Sequence, residues 1–123
     1  IDIMYWIFGD ITNIQAKFAD FNHKHNTAFE DSGFVSFDFV NGGMGSLHYS
    51  TAVWDKNMES SITVIAEHGS LKIGGQYMNE VIYCHIKDYE MPALPNFVSR
   101  ANGRNRLLMI MAHIKEVHPI IIL

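Results

Sequence analysis

One cysteine, Cys84, is all the thiol chemistry the 123-residue chain contains. That excludes an internal disulfide framework, which needs pairs, and fits a reducing, cytoplasmic setting. Positive charge is also scarce. Nine Lys and Arg face 13 Asp and Glu, for a net charge of −4 with the histidines neutral. A nucleic-acid footprint needs a basic face, so nucleic acid is excluded as a partner. Residues 1–9 have no basic leading region and are too few for a secretory signal. No apolar run approaches the roughly 18 residues that span a bilayer, so a membrane partner is not expected. A dinucleotide-binding G-x-G-x-x-G ahead of a helix is missing too, and the pairs Gly42-Gly43 and Gly74-Gly75 read as turns. There is no internal repeat or low-complexity tract. The first residue is Ile1, not Met, as expected of a segment from inside a longer gene.

What is present is apolar enough to fold. At 48% hydrophobic and 18% charged, the chain can bury the core of one domain. Residues 1–8 read as the last turns of a helix, closed by Gly9. Ile14, Ala16 and Phe18 recur at period two and predict a strand over 11–20. Residues 21–27 are polar and read as a loop. Aromatic and β-branched content predicts a strand over 32–40, although Phe34, Ser36 and Asp38 alternate poorly. Asn41-Gly42-Gly43 is a hairpin turn, and residues 44–54 return as the partner strand. Shorter strands follow over 61–66, 70–73 and 81–86, separated by Glu67-His68-Gly69 and Gly74-Gly75. Strands in series after one helix predict an α+β fold. Its sheet is open, mainly antiparallel and five- to six-stranded, with the N-terminal helix packed on one face.

Several residues carry chemistry. Glu30 and Asp31 are adjacent carboxylates, the pairing acid–base catalysis uses. Neighbours on a strand point to opposite faces, which favours structural use at the strand start. Of seven histidines, His23 and His25 would face one way on a strand, but a tetrahedral zinc site needs two more ligands nearby. His48, His68 and His85 lie on other segments without a ligand spacing, and no metal is expected. Cys84 alternates with apolar neighbours and reads as a small core residue.

The order of segments adds a resemblance. The stretches D-I-M-Y-W-I-F-G from Asp2, E-D-S-G from Glu30, F-V-N-G-G-M-G-S-L from Phe39, K-N-M-E-S-S-I-T-V from Lys56 and H-G-S-L-K-I-G-G from His68 resemble the C-terminal domain of the glucose–fructose oxidoreductase/inositol dehydrogenase/MocA family. They are most similar to its bacterial dehydrogenases of nucleotide-linked amino sugars and sugar acids. The resemblance covers residues 1–95 and implies a substrate-covering, oligomer-forming sheet domain. The NAD or NADP site and the catalytic lysine would belong to a separate Rossmann domain. In the family's H-x-x-D pattern this chain supplies only Asp2, and the histidine would precede Ile1. Asp2 is therefore at most a support for that missing histidine, and otherwise a helix charge facing solvent. No catalytic, cofactor-binding or metal residue is expected in the chain. The resemblance also brings the 54–59 loop near the substrate face. There Trp54 would be an aromatic platform, Lys56 a phosphate partner, and Asn57 and Glu59 hydrogen-bonding groups. The bland reading of these four residues is a solvated loop. As a whole, the chain is expected to be inactive alone, with sugar or nucleotide-sugar turnover belonging to a parent oxidoreductase. The alternative is a standalone β-sheet interaction module without catalysis.

The likeness ends at residue 95, and residues 96–123 read as a connector and an aberrant tail. One choice of synonymous codons for residues 107–123, read two bases later, gives T-Y-D-Y-G-P-Y-Q-G-S-A-S-N-H-Y-S. That string resembles the segment the family places there. The expectation is a reading-frame slip between about residues 95 and 107, whose tail was not selected to pack. A genuine apolar helix over residues 107–117 is the bland alternative. Sequencing the underlying DNA should return codons that restore the family segment in the second frame. Codons that do not would reject the slip.

Overall fold

Period-two alternation decides which side of a strand can be buried. The computed structural model describes residues 2–91 and 119–122, and of 2, 3 and 119–122 it describes the backbone alone. It contains α1 (Asp2–Phe8), β1 (Ile11–Ala19), β2 (Ser32–Phe39), β3 (Met44–Ser50), β4 (Ile62–Ala66), β5 (Gly69–Gly74), β6 (Glu80–Ile86) and β7 (Pro119–Ile122). In this chain β2, β4, β5 and β6 share a buried side, while β1, with Ile14, Ala16 and Phe18, is exposed along nearly its whole length. The expected α+β architecture is what forms. Two antiparallel meanders, β1-β2-β3 and β4-β5-β6, are joined through β7 into a seven-stranded sheet of order β1-β2-β3-β7-β4-β5-β6.

The helix stops where the sequence predicts. Gly9 takes a left-handed φ of 82°, and its N–H donates to the Tyr5 carbonyl at 2.9 Å. Met4, Ile7 and Phe8 make the buried side of α1. Phe8 lies 5.3 Å from Phe39, and Phe39 lies 5.3 Å from Phe37, ring centre to ring centre. These residues continue into one apolar cluster with Ile62, Val64, Leu71, Ile73 and Ile86. In β2 the buried phase is therefore Phe37 and Phe39. The weakly alternating set Phe34, Ser36 and Asp38 occupies the opposite face.

Turn chemistry holds the strands in register. The β2–β3 hairpin is closed by Gly42 N–H donating to the Phe39 carbonyl and Phe39 N–H donating to the Gly43 carbonyl, each at 3.0 Å. Both glycines adopt positive φ, 96° and 99°, a region that disfavours other residues. In β1 the register breaks between Thr12 and Gln15. There Asn13 sits at φ 52° and its side-chain amide donates to an Asp38 oxygen at 2.8 Å.

Two details differ from expectation. The strand expected over 44–54 leaves the sheet at Ser50. Thr51 N–H makes a last 2.8 Å bond to the Asp31 carbonyl, and Ala52 N–H then turns back onto the Ser50 hydroxyl at 3.1 Å. The second is a strand beyond the expected six. Residues 119–122, past the boundary drawn at residue 95, run parallel to β3 and antiparallel to β4. A four-residue Pro-Ile-Ile-Ile segment has the β-branched character that suits a strand between two others. The helix considered over residues 107–117 lies outside the described residues, as do His113 and His118. Among the described residues, no helix is long and apolar enough to cross a membrane.

Val64, Leu71 and Ile73 are at most 1% exposed. Truncating a large aliphatic side chain in such a setting costs transfer energy and leaves a cavity, typically about 2–5 kcal/mol together. Leu71→Ala should lower the stability read by urea denaturation by an amount in that range. A loss well under 1 kcal/mol would contradict the packing at this position.

Candidate functional site

The most heavily bonded ionisable group described is Asp31, the residue just before β2. It is 3% exposed, and four groups converge on its carboxylate. Asn22 N–H donates at 2.8 Å, and Phe21 N–H donates to both oxygens at 3.1 and 3.2 Å. The Ser32 hydroxyl donates at 2.9 Å, and His23 Nδ1 lies 3.1 Å from Oδ2. The loop after β1 is thereby wrapped around the first residue of β2. Asn22 extends the bracket sideways, its side chain donating to the Ala52 carbonyl at 3.2 Å. His23 N–H is fixed in turn by Asp20 at 2.9 Å.

These donors hold the Asp31 carboxyl well below the usual carboxylate range. The Asn22 N–H is the largest cause. Burial acts next and in the opposite direction, and the Phe21 N–H, the Ser32 hydroxyl and the His23 ring add to the lowering. Hydrogen bonds to the charged form favour that form.

The arrangement brings Asp, His and Ser together without making a nucleophilic triad. In a triad the hydroxyl bonds to the imidazole and the carboxylate orients the far ring nitrogen. Here the Ser32 hydroxyl bonds to the carboxylate and to the Ser50 hydroxyl at 2.9 Å. Asp31 is therefore an organiser of the loop. Glu30, its neighbour, is exposed, so the two carboxylates do not face a common point.

The other residues singled out from sequence fall in different places. Trp54 projects with 94% of its surface exposed. The Lys56 N–H donates to the Trp54 carbonyl at 2.7 Å, and Asp55 between them has a φ of 63°. Trp54 and Lys56 thus share one tight turn on the surface. Asn57 is exposed in the same loop. Glu59 is directed toward the sheet, accepting from the Ser61 hydroxyl at 3.2 Å and lying 4.0 Å from Lys72 Nζ. The helical position of Asp2 is as expected, while its side chain lies outside the description. His23 and His25 belong to the turn region after β1, not to a strand, with His23 against Asp31 and His25 exposed. Among the described residues no group of three or more His, Cys, Asp or Glu is placed to hold a metal ion. Cys84 is partly buried, and that burial pushes its thiol pKa up. Sequence reasoning passed over the loop-organising role of Asp31. Its one local sign is a carboxylate directly before a strand and after a polar stretch.

The described residues do not fit a dinucleotide pyrophosphate. Such a cradle is a glycine turn leading from a strand into a helix N-terminus. Gly42 and Gly43 join two strands, Gly75 follows β5 in the turn before β6, and the one helix described, α1, precedes every strand.

Comparison with known proteins supplies a context. The profile of the GFO/IDH/MocA C-terminal domain matches residues 1–72. Among solved structures, the WlbA dehydrogenase from Bordetella pertussis, in complex with NADH and UDP-GlcNAcA, is similar at a TM-score of 0.65 and 25% identity; the match covers 72% of this chain and 26% of that one. The WlbA dehydrogenase from Chromobacterium violaceum, with the same two ligands, is similar at a TM-score of 0.65 and 31% identity, covering 72% of this chain and 25% of that one. The chain thus spans about a quarter of the length of either structure. No curated protein matches it.

The sign of the pH dependence follows from Asp31. Its folded-state pKa lies below its unfolded value of about 3.9, so its contribution to stability is complete above that value. It is lost as pH falls, from roughly pH 5 down toward pH 2. Asp31→Asn should lower the melting temperature by several degrees at neutral pH and flatten the acid limb of the stability curve. An acid limb identical to that of the unaltered chain would show that Asp31 does not carry this dependence.

Proposed function

Because the chain belongs to the GFO/IDH/MocA family through its C-terminal domain, we propose that it is the substrate-covering and oligomer-forming part of an NAD(P)-dependent nucleotide-sugar dehydrogenase, inert by itself. The observation that carries this reading is its likeness to WlbA dehydrogenases solved with NADH and UDP-GlcNAcA, of which it matches only about a quarter. The remaining length is where a Rossmann domain, its NAD or NADP and the catalytic lysine would reside.

In this reading the 54–59 loop borders the nucleotide sugar. Trp54 offers an aromatic face for a ring, a large contact held at little entropic cost. Lys56 supplies a mobile cation for phosphate, and Asn57 and Glu59 supply hydrogen bonds to hydroxyls. Asp2 supports the proton-handling histidine on the polypeptide before it. The setting is cytoplasmic.

The second role belongs to the sheet face away from α1. Phe34, Met44, Ile65 and Tyr83 lie on that face by register, and each is between 37% and 56% exposed. Apolar side chains spread over an open face favour burial against a partner, and a second copy of the chain is the partner proposed.

The purified 123-residue chain should transfer no hydride between a nicotinamide cofactor and UDP-GlcNAcA, and should sediment as a self-associated species at micromolar concentration. Measurable turnover would end the first half of this reading. A sharp monomer boundary would end the second.

A further inference from the structure

Three loops meet at one end of the sheet. Residues 20–31 join β1 to β2, residues 51–61 join β3 to β4, and residues 75–79 join β5 to β6. Register brings them together. Ala19 pairs with Ser32 and Ser32 with Ser50. β7 runs parallel to β3 and antiparallel to β4, which sets the start of β4 at the end of β3. Hydrogen bonds then tie loop to loop. The Asn22 side chain donates to the Ala52 carbonyl at 3.2 Å, Thr51 N–H to the Asp31 carbonyl at 2.8 Å, and Ser60 N–H to the Gly75 carbonyl at 3.0 Å. Phe21, Phe29, Trp54, Met58 and Tyr77, each at least 71% exposed, all lie on these loops. Loops carried on a rigid scaffold are where binding groups gather.

His23 is the imidazole this end holds in a fixed orientation. Its Nδ1 lies 3.1 Å from Asp31 Oδ2, on a side chain that is 2% exposed. The Phe21 and Asn22 amides and the Ser32 hydroxyl converge on the same carboxylate and favour its charged form. An ionised carboxylate accepts hydrogen bonds and donates none. The contact therefore puts the ring proton on Nδ1, and the neutral imidazole carries its lone pair at Nε2. The backbone is pinned as well. His23 N–H donates to Asp20 at 2.9 Å, and its carbonyl accepts from the Asn26 and Thr27 N–H groups at 2.8 and 3.0 Å. The His23 side chain is 36% exposed. Because Nδ1 is turned inward to a buried carboxylate, the open edge of the ring is the one that bears Nε2.

We propose that His23 is a ligand-binding residue whose Nε2 accepts a hydrogen bond from a hydroxyl of the nucleotide sugar, with Asp31 as its positioning residue. The proposal rests on the reading in which the 54–59 loop borders that ligand. Asn22, the neighbour of His23, is bonded to Ala52, two residues before Trp54, so His23 enters the same site from the adjoining loop. It adds what Trp54 and Lys56 lack. An indole N–H and an ammonium only donate, whereas a hydroxyl is read as a donor only by an acceptor. A ring already held in one tautomer and one orientation loses little freedom on binding. Asp31 stays structural in this: it touches no ligand and sets the ring that does.

The full chain, isotope-labelled at nitrogen, tests it at roughly pH 8.5, well above the ordinary histidine value of about 6.5. A long-range proton–nitrogen correlation spectrum should show His23 protonated at Nδ1 alone. In Asp31→Asn, whose amide can donate as well as accept, that single tautomer should be lost, and the backbone amide spectrum reports that the variant is folded. The unaltered chain is then titrated with UDP, which offers ribose hydroxyls, and with UDP-GlcNAcA, which adds those of the sugar. A saturable upfield displacement of the His23 Nε2 resonance by either supports the proposal. Displacement by the second alone assigns the hydroxyl to the sugar. His23→Ala should weaken binding of the displacing ligand about three- to tenfold, the loss of one hydrogen bond. If that variant does not fold, the tautomer and the displacement in the unaltered chain decide. A proton found on Nε2 would overturn the proposal. So would displacement of the Trp54 indole resonance with His23 Nε2 unmoved, an outcome that leaves the nucleotide-sugar reading standing. No displacement at either residue overturns the proposal together with the placing of the 54–59 loop.

Discussion

The structure depends on a single apolar face held in common by two meanders. Phe37 and Phe39 from one, and Ile62, Val64, Leu71, Ile73 and Ile86 from the other, lie in one cluster with the buried side of α1. A three-stranded meander alone has little to bury. The six-residue Gly69–Gly74 strand is the most enclosed, with Leu71 and Ile73 essentially out of solvent. Everything polar of note, the Asp31 bracket and the Trp54 turn included, is attached to strands whose register this face fixes.

Asp31 illustrates how a chemically suggestive group can be wholly structural. Its carboxylate accepts bonds from the backbone of Phe21 and Asn22, from Ser32 and from His23. Each such bond satisfies a donor that would otherwise be left in a loop folding over a strand start. Donors converging on the charged form hold its pKa down, which suits a permanent acceptor better than a proton carrier near neutral pH. The Trp54 turn, by contrast, lies on the surface and does little for the core.

Most of the fold was legible because its signals are local. Gly9 ends the helix, Asn41-Gly42-Gly43 makes the hairpin, and the β-branched runs after Ser61 make strands, each through the conformational preference of a few adjacent residues. The phase of β2 was harder to read. Aromatics stand on both of its faces, at Phe34 and at Phe37 and Phe39, and docking of α1 decides which set is buried. β7 was not legible at all, since a four-residue strand is specified by the edges beside it and not by its own pattern. The role of Asp31 was hidden for the same reason. Its partners Phe21 and Asn22 lie ten and nine residues earlier, and no periodicity marks such a bond.

These constraints also say why a sheet domain of this kind suits shared work. The face that carries α1 is filled by its own helix over β2 and is open toward Phe18 and Tyr49, whose rings approach to 6.5 Å across Gly33. A side chain at position 33 would meet both rings, with Tyr49 the nearer, so glycine is what lets them close. The far face bears Phe34, Met44, Ile65 and Tyr83 with no element of the described chain over them. A sheet stabilised from one side by a short helix leaves its other surfaces available to further polypeptide.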